Sequence, residues 1–285
     1  MTFRTRFAPS PTGPLHLGHA YSALLAYDMA QAAGGTFLLR IEDIDQSRAR
    51  DTWEQQIYDD LQWLGVDWPT PVMRQSDRLP AYDAALDTLW ARGLLYPCTC
   101  TRADIKQALS APQEGVAMGP DGIVYPGTCR SAAERSGPRP AEAVLRLDMR
   151  AALAELGDEP LSFSETGKMD AGSPVPITET DLTHGVGDIV LARRDMGTSY
   201  HLSVVVDDAA QQITHVVRGE DLFDATKIHV PLQRLLDLPT PVYHHHRLIR
   251  DETGKRLAKR DDARAIALYR AEGRTPDEVR AMTSL

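Results

Sequence analysis

The sequence predicts an α/β fold built on a parallel sheet, with a loop-rich insertion in the middle of the chain and a short helical segment at its end. Apolar runs of strand length alternate with helical stripes over residues 1–95, and the alternation resumes over residues 181–245. Between them, residues 96–180 hold clusters of proline and glycine and all three cysteines. Strands separated by helices are typical of βαβ units, and therefore of a parallel sheet. Residues 246–285 are expected to form a loop and two short helices.

The first elements along the chain are a strand, a helix and a second strand. Thr5–Ala8 is expected to be a short strand. From His16 onward apolar residues recur with helical spacing, and the Gly34-Gly35 pair is expected to end that helix. Thr36–Ile41 is a nearly continuous apolar run, which is typical of a strand buried on both faces.

Two further helical stripes complete the first 95 residues. One runs from Trp53 to Leu64 and stops at Gly65, and the other runs from Tyr82 to Leu89. Each is expected to cover one face of the sheet.

The second half is expected to add strands and helices to the same sheet. The apolar runs Asp188–Ala192 and Leu202–Val206 read as strands, and a helix is expected over Ala225–Leu236. Ala263–Leu285 reads as two short helices, the second starting at Thr275 as the cap and a proline in the first turn.

The composition is that of an ordinary globular protein. Hydrophobic residues make up 42% of the 285 residues, which excludes disorder as the main state. The longest apolar run is broken by Asp28 and Gln31, and the N-terminus lacks the apolar segment of a secretion signal, so we expect a cytoplasmic protein with no membrane contact. A net charge of −9 argues against a protein that coats DNA non-specifically. We expect a monomer.

The most informative motif lies where the first strand ends and the first helix begins. His16 and His19, three residues apart at a helix N-terminus, project to the same side, where free backbone N–H groups and the helix dipole favour a phosphate. Gly18 between them lets a ligand approach closely. Two surface histidines in a Pro/Gly-rich loop are the alternative, but the whole string at this junction favours a phosphate site.

A basic segment follows a predicted strand in the last part of the chain, and it includes Lys255, Arg256, Lys259 and Arg260. Lysines on a loop can fold over ATP and offset the charge that builds on the leaving pyrophosphate. A solvated surface loop is the commoner structure for such a run.

The three cysteines suggest a metal site in the insertion. Cys98, Cys100 and Cys129 are a soft ligand set suited to zinc, and a tetrahedral site needs a fourth ligand. Three buried thiols without metal are the alternative. Bound zinc would have a structural role, because the loop-rich insertion has little core of its own.

His16-Leu-Gly18-His19 resembles the HIGH signature of class I aminoacyl-tRNA synthetases, in the glutamyl and glutaminyl branch. The segments Arg6–Ser10 and Arg40–Asp45 carry the same resemblance, which extends over almost the whole chain. It implies a Rossmann-type catalytic domain that binds ATP with Mg²⁺, with His16, Gly18 and His19 at the nucleotide.

The basic segment occupies the position of the family's second signature, KMSKS. Lys259 matches its second lysine, whereas Arg256 replaces the first lysine and Ala258 replaces a serine. The resemblance implies that Lys259 acts with His16 and His19 in catalysis and ATP binding. Arg256 keeps the charge with a different geometry, and the serine hydroxyl is lost at Ala258.

The resemblance also implies a glutamate pocket and a zinc ligand set. A glutamate ligand needs cations for its side-chain carboxylate and an anion for its ammonium group. The implied pocket residues are Arg6, Phe7, Ala8, Pro9, Ser10, Glu42, Tyr200 and Arg218. Similar proteins have a Cys-x-Cys pair followed by Tyr-x3-Cys, which implies that Tyr125 is the fourth ligand of one structural zinc per chain.

The chain ends at Leu285, soon after Lys259, so we expect no anticodon-binding domain. In this it is similar to shortened paralogues of glutamyl-tRNA synthetase. They activate glutamate with ATP without tRNA and attach it to queuosine at the wobble position of tRNA(Asp). The alternatives are a truncated glutamyl-tRNA synthetase that charges a tRNA 3′ end, another nucleotidyltransferase with a small-molecule acceptor, and a non-catalytic paralogue that binds glutamate or RNA.

Overall fold

A parallel sheet forms the centre of the protein. The computed structural model describes residues 2–108, 117–167, 174–250 and 264–285. Strands β1 (Arg4–Phe7), β2 (Thr36–Ile41) and β3 (Met73–Arg74) pair in parallel in that order. The strand expected at Thr5–Ala8 is thus confirmed with a shift of one residue, and the strand at Thr36–Ile41 is confirmed with its bounds.

A second parallel pair lies beside β1. Strands β11 (His215–Gly219) and β12 (Val242–His246) pair in parallel. Thr214, just before β11, donates its backbone N–H to Arg4 O at 3.0 Å, and Arg4 N–H donates to Thr214 Oγ1 at 2.8 Å. The three strands β1–β3 and the pair β11–β12 therefore begin at one edge of the sheet. Their carboxyl ends meet at the opposite edge, where open α/β sheets bind ligands.

Helices cover this sheet, and the apolar stripes of the sequence are their buried faces. The helices are α1 (Leu17–Ala32), α2 (Asp51–Trp63), α3 (Leu79–Ala91), α6 (Tyr200–Ala210) and α7 (Thr226–Leu235). Helix α1 packs on β1, β2 and β11, with Ala20, Ala23 and Leu24 buried. The helices expected from His16, over the Trp53 and Tyr82 stripes and over Ala225–Leu236 are confirmed.

The middle of the chain forms smaller antiparallel units. Strands β4 (Leu95–Cys98), β7 (Val144–Leu147) and β10 (Val190–Ala192) make an antiparallel sheet. Two short hairpins consist of β5 (Met118–Gly119) with β6 (Gly122–Ile123), and of β8 (Leu161–Ser164) with β9 (Pro174–Ile177). Helices α4 (Arg102–Ala108) and α5 (Met149–Leu156) complete this part, with a π-helical turn at Asp181–Val186.

Two assignments made from the sequence are wrong. Leu202–Val206 lies in helix α6 rather than in a strand, because a short apolar run looks the same in a buried strand and in a fully buried helix. The strand within Asp188–Ala192 exists, but it pairs antiparallel with β7 instead of joining the parallel sheet.

The C-terminal segment packs back on α1. Helices α8 (Ile266–Ala271) and α9 (Pro276–Thr283) follow each other, and α9 contacts α1. Thr275 caps α9: its hydroxyl accepts from Glu278 N–H while the Glu278 carboxylate accepts from Thr275 N–H, which confirms the predicted cap. Across the described ranges, no helix is both long and apolar enough to cross a bilayer.

Candidate active site and metal site

The two histidines of the HIGH-like motif form the N-cap of α1. Gly18 N–H donates to His16 Nδ1, and His16 N–H donates to His19 Nδ1, each at 3.1 Å. The two rings stack with centroids 3.8 Å apart. Because each Nδ1 accepts a hydrogen bond, each imidazole is neutral and carries its proton on Nε2. Both Nε2–H groups are therefore donors at a helix N-terminus, which suits an anionic ligand.

Gly18 leaves room for the His16 ring. A Cβ at position 18 would lie 3.0 Å from Cε1 and 3.1 Å from Nδ1 of His16. A side chain here would therefore force the ring to shift by a few tenths of an ångström. The absence of a Cβ thus serves the histidine itself, in addition to the close ligand approach expected from the sequence.

Described residues before and after the basic segment lie near the start of α1. On one side His246 Nε2 lies 3.0 Å from Ser22 Oγ, and on the other Ala265 forms a β-bridge with His16. Ile266 N–H also donates to Leu15 O at 2.9 Å. Lys255, Arg256, Ala258, Lys259 and Arg260 lie outside the described residues. The described residues that follow them therefore return to the chain beside His16.

Arg6 and Glu42 are the two ends of a buried chain of ion pairs. Arg6 binds Asp208 with Nε at 3.0 Å and Nη2 at 3.3 Å from the two carboxylate oxygens. Arg40 bridges the same Asp208, at 2.7 Å, and Glu42, at 3.0 Å. Two cations and two anions thus alternate near the carboxyl ends of β1 and β2, and these contacts fix the orientation of each side chain.

The pKa values of the two carboxyl groups in these ion pairs, Asp208 and Glu42, shift in opposite directions. Burial acts to raise the pKa of Asp208, but the Arg6 and Arg40 guanidinium groups outweigh it and lower that pKa. For Glu42 burial dominates and raises the pKa, although Arg40 and Arg6 oppose it. Asp208 is therefore the fixed counterion of the cluster, and Glu42 is a carboxylate that a ligand cation would stabilise further.

Sequence reasoning missed Arg40 and Asp208. A signal was present for each: Arg40 interrupts an apolar strand, and Asp208 follows a buried apolar run. An arginine that is fully buried needs a carboxylate partner, so the sequence signals that such a partner exists without identifying it.

The segment after β1 lies beside the end of β2. Glu42 N–H donates to Pro9 O at 3.1 Å, and Thr12 N–H donates to Ser10 O at 2.9 Å. Phe7 is a buried core residue, whereas Ser10 is exposed and Ala8 is half-buried. Phe7 therefore belongs to the core, whereas Ala8 and Ser10 have accessible side chains.

Tyr200 and Arg218 lie near the same strand ends. Tyr200 is the first residue of α6, its ring centroid is 5.7 Å from that of His229, and burial raises the pKa of its phenol. The charges of Arg218, Glu42 and Arg6 all act on the pKa of this phenol, so four of the eight predicted pocket residues lie near one another. Tyr200 reaches this place from a helix and not from the strand end expected.

Three thiols and one phenol converge at the end of β4. The sulfur atoms of Cys98, Cys100 and Cys129 all lie within 4.8 Å of one another, with 3.4 Å between Cys100 and Cys129. The Tyr125 hydroxyl is 3.5 Å from Cys98 Sγ and 3.3 Å from Cys100 Sγ. Ligand–ligand distances around a tetrahedral zinc with sulfur and oxygen ligands are roughly 3.5–3.8 Å. The cluster can hold a metal ion.

The surroundings hold this cluster in place. The Arg146 guanidinium lies 3.8 Å above the Tyr125 ring, and Cys129 N–H donates to the Tyr125 oxygen at 2.9 Å. Burial acts to raise the pKa of Cys129, but hydrogen bonds from Tyr125 and Thr99 outweigh it and lower that pKa to about 6. A thiol with this pKa is readily available as a thiolate ligand.

Comparisons with known proteins agree with this arrangement. The family model described as tRNA synthetases class I (E and Q), catalytic domain, matches residues 2–284. A protein of Rhodobacter capsulatus named glutamyl-Q tRNA(Asp) synthetase is 64% identical over 285 residues, covering 99% of each chain. One of the same name from Nocardia farcinica is 42% identical, covering 97% of this chain and 82% of its own.

A solved structure shows the same likeness. The crystal structure of a glutamate tRNA ligase from Elizabethkingia meningosepticum, in complex with its amino acid, superposes with a TM-score of 0.69 at 28% identity. The superposition covers 92% of this chain and 52% of that ligase, so the chain spans about half the ligase's length. The chain belongs to the class I tRNA synthetase family, in its E and Q group, and is a ligase of that type.

Proposed function

We propose that this chain activates L-glutamate with ATP, without tRNA, and then transfers the glutamyl group to queuosine at the wobble position of tRNA(Asp). The observation that carries the first step is the state of Arg218, a buried guanidinium whose hydrogen-bond acceptors among the described residues are all uncharged. A buried cation needs an anionic partner, and a ligand carboxylate supplies one. The name shared by the two relatives supports the second step.

Different residues of the pocket bind the side-chain carboxylate and the α-ammonium group of glutamate. Arg218 binds the side-chain carboxylate, and Arg6, already neutralised by Asp208, adds N–H donors. Glu42 accepts from the α-ammonium group, whose charge lowers the raised pKa of this carboxyl. Burial raises the pKa of the Tyr200 phenol, which therefore serves the pocket as a neutral donor.

Activation places the α-carboxylate oxygen of glutamate on the α-phosphorus of ATP. The new oxygen–phosphorus bond forms as the bond to the β-phosphate oxygen breaks, and pyrophosphate leaves in line. The Nε2–H groups of His16 and His19, the α1 N-terminus and Lys259 stabilise the charge on the phosphate oxygens. Mg²⁺ bound with ATP compensates further phosphate charge. Positioning supplies most of the rate, because the protein forms no covalent bond.

Transfer then uses the mixed anhydride. A hydroxyl oxygen of the queuosine ring attacks the glutamyl carbonyl carbon, the bond from that carbon to the phosphate oxygen breaks, and AMP leaves. The proton of the hydroxyl passes to the departing phosphate, so no protein base is required.

The cysteine cluster would hold one structural zinc ion. Cys98, Cys100, Cys129 and the Tyr125 oxygen are the four ligands, and their three sulfur atoms already lie within 4.8 Å of one another. Zinc would stabilise the insertion proposed at residues 96–180, between the two halves of the Rossmann-type domain. Strand β10, from the residues that follow, completes the antiparallel sheet of this insertion.

The acceptor is tested with radiolabelled glutamate and tRNA(Asp) whose 3′-terminal adenosine has been removed. We expect label in queuosine-containing tRNA(Asp) and none in the same tRNA lacking queuosine. Labelling that requires the 3′ adenosine, with or without queuosine, would identify a truncated glutamyl-tRNA synthetase instead. A chain that labels neither tRNA under any condition would contradict the transfer step.

A further inference from the structure

Arg218 is held by neutral acceptors from three sides. Nε donates to His245 Nε2 at 3.1 Å, and Nη1 lies 3.2 Å from His229 Nδ1. Nη2 donates to Thr226 Oγ1 at 2.7 Å and to Leu222 O at 3.1 Å. These contacts fix the guanidinium plane, and they do so without cancelling its charge.

His245 connects Arg218 to a buried carboxylate. Since Arg218 Nε donates to His245 Nε2, that nitrogen has no proton, and the proton of the neutral ring is on Nδ1. The Nδ1–H group donates to Glu165 Oε2, while Glu165 Oε1 accepts from His245 N–H at 3.0 Å and from Gly167 N–H at 2.6 Å. Glu165 and His245 are both fully buried. The carboxylate thus selects one tautomer of the histidine.

A second series of side-chain contacts begins at the other side of Arg218. His229 Nδ1 accepts from Arg218, so the His229 proton is on Nε2, which lies 3.1 Å from His201 Nδ1. His201 then carries its own proton on Nε2, 3.6 Å from Asp121 Oδ1 in the β5–β6 turn. Burial, together with the Arg218 charge, lowers the pKa of His229 well below its usual value, which keeps this ring neutral.

We propose that Glu165–His245 and His229–His201 are positioning pairs for the glutamate site: they orient Arg218 through neutral rings of fixed tautomer and leave its positive charge for the substrate carboxylate. One imidazole separates Arg218 from Glu165 and two separate it from Asp121, so neither carboxylate forms an ion pair with it. This inference rests on the proposed function, since Arg218 is taken to bind glutamate.

Glu165→Gln is the most informative substitution, because it is isosteric. The glutamine oxygen would accept from the two backbone N–H groups, and its NH₂ group would then face His245 Nδ1. His245 would move its proton to Nε2, where it opposes the Arg218 Nε–H donor. We expect the KM for glutamate in ATP–pyrophosphate exchange to rise at least tenfold, while the KM for ATP stays within twofold.

His229 offers a pair of variants with opposite expectations. In His229→Asn the amide oxygen can take the place of Nδ1 and accept from Arg218, so the KM for glutamate should stay within threefold of wild type. His229→Leu removes the acceptor and should raise that KM at least tenfold. His244→Gln is the matched control on the same strand, because His244 contacts Thr166 instead of Arg218, and it should change neither KM.

Nitrogen-15 NMR of histidine-labelled protein tests the tautomers without any activity. We expect His245 as the Nδ1–H form and His229 as the Nε2–H form in wild type, with His245 converted to Nε2–H in Glu165→Gln. The inference is overturned if His245 is Nε2–H in wild type, or if Glu165→Gln raises both KM values equally. Wild type that shows the expected tautomers but no glutamate-dependent exchange would instead contradict the proposed function alone.

Discussion

The buried ion pairs of the proposed glutamate site make a quantitative prediction about Asp208→Asn. This isosteric change removes the charge that faces both Arg6 and Arg40, from a side chain only 7% exposed. Removing one partner of a buried ion pair costs about 3–5 kcal/mol, because the remaining charge is left without compensation. In a chain of this size such a loss lowers Tm by on the order of 10 °C.

The assay is urea unfolding of Asp208→Asn beside a matched control, Asp83→Asn. Asp83 pairs with Arg139 at 2.9 Å, but its side chain is 56% exposed, so this loss should be within about 1 kcal/mol. The reasoning is refuted if the two variants lose the same stability. It is also refuted if Asp208→Asn leaves the KM for glutamate unchanged, since Arg6 would then hold its place without Asp208.

Three further changes have definite expected outcomes. Gly18→Ala should displace the His16 ring and raise the KM for ATP at least tenfold with Tm retained, whereas a wild-type KM would show that the stacked position is not needed. Cys129→Ser should lower the zinc content, measured by atomic emission, from one ion per chain to nearly none; a wild-type protein purified without zinc would contradict the metal site. Asp60→Asn should stabilise the protein at pH 7.5 by about 1–3 kcal/mol, with the difference gone at pH 4. Burial raises the pKa of Asp60 from 3.8 to about 6, so wild type loses stability as pH rises through this window. Wild type and Asp60→Asn that are equally stable to urea at pH 7.5 would refute the pKa shift.

Local patterns predicted most of the elements around the site. The stripe from His16, the apolar run Thr36–Ile41 and the Thr275 cap each form what their spacing indicates. These signals depend only on neighbours along the chain, and tertiary contacts did not override them.

The errors arose where the environment decides the structure. Leu202–Val206 is apolar on all sides because helix α6 is buried between α3 and α7, and its sequence lacks the alternation that would separate a helix from a strand. Strand β10 was placed in the wrong sheet because strand pairing between distant segments leaves no local pattern.

The polar partners of the site were also beyond sequence reasoning. Asp208 lies 202 residues from Arg6, and Glu165 lies 80 residues from His245, so no spacing links either pair. A buried charge in an apolar run signals that some partner exists, but only the fold identifies it.

The most direct test of the central claim is glutamate-dependent ATP–pyrophosphate exchange with no tRNA present, beside aspartate and glutamine. In the proposed pocket Arg218 binds the side-chain carboxylate and Glu42 accepts from the α-ammonium group, which together select an amino acid that carries both. We predict exchange with glutamate alone, and its loss in Arg218→Ala. Exchange that begins only when tRNA is added would contradict tRNA-independent activation, and no exchange under any condition would contradict the active site itself.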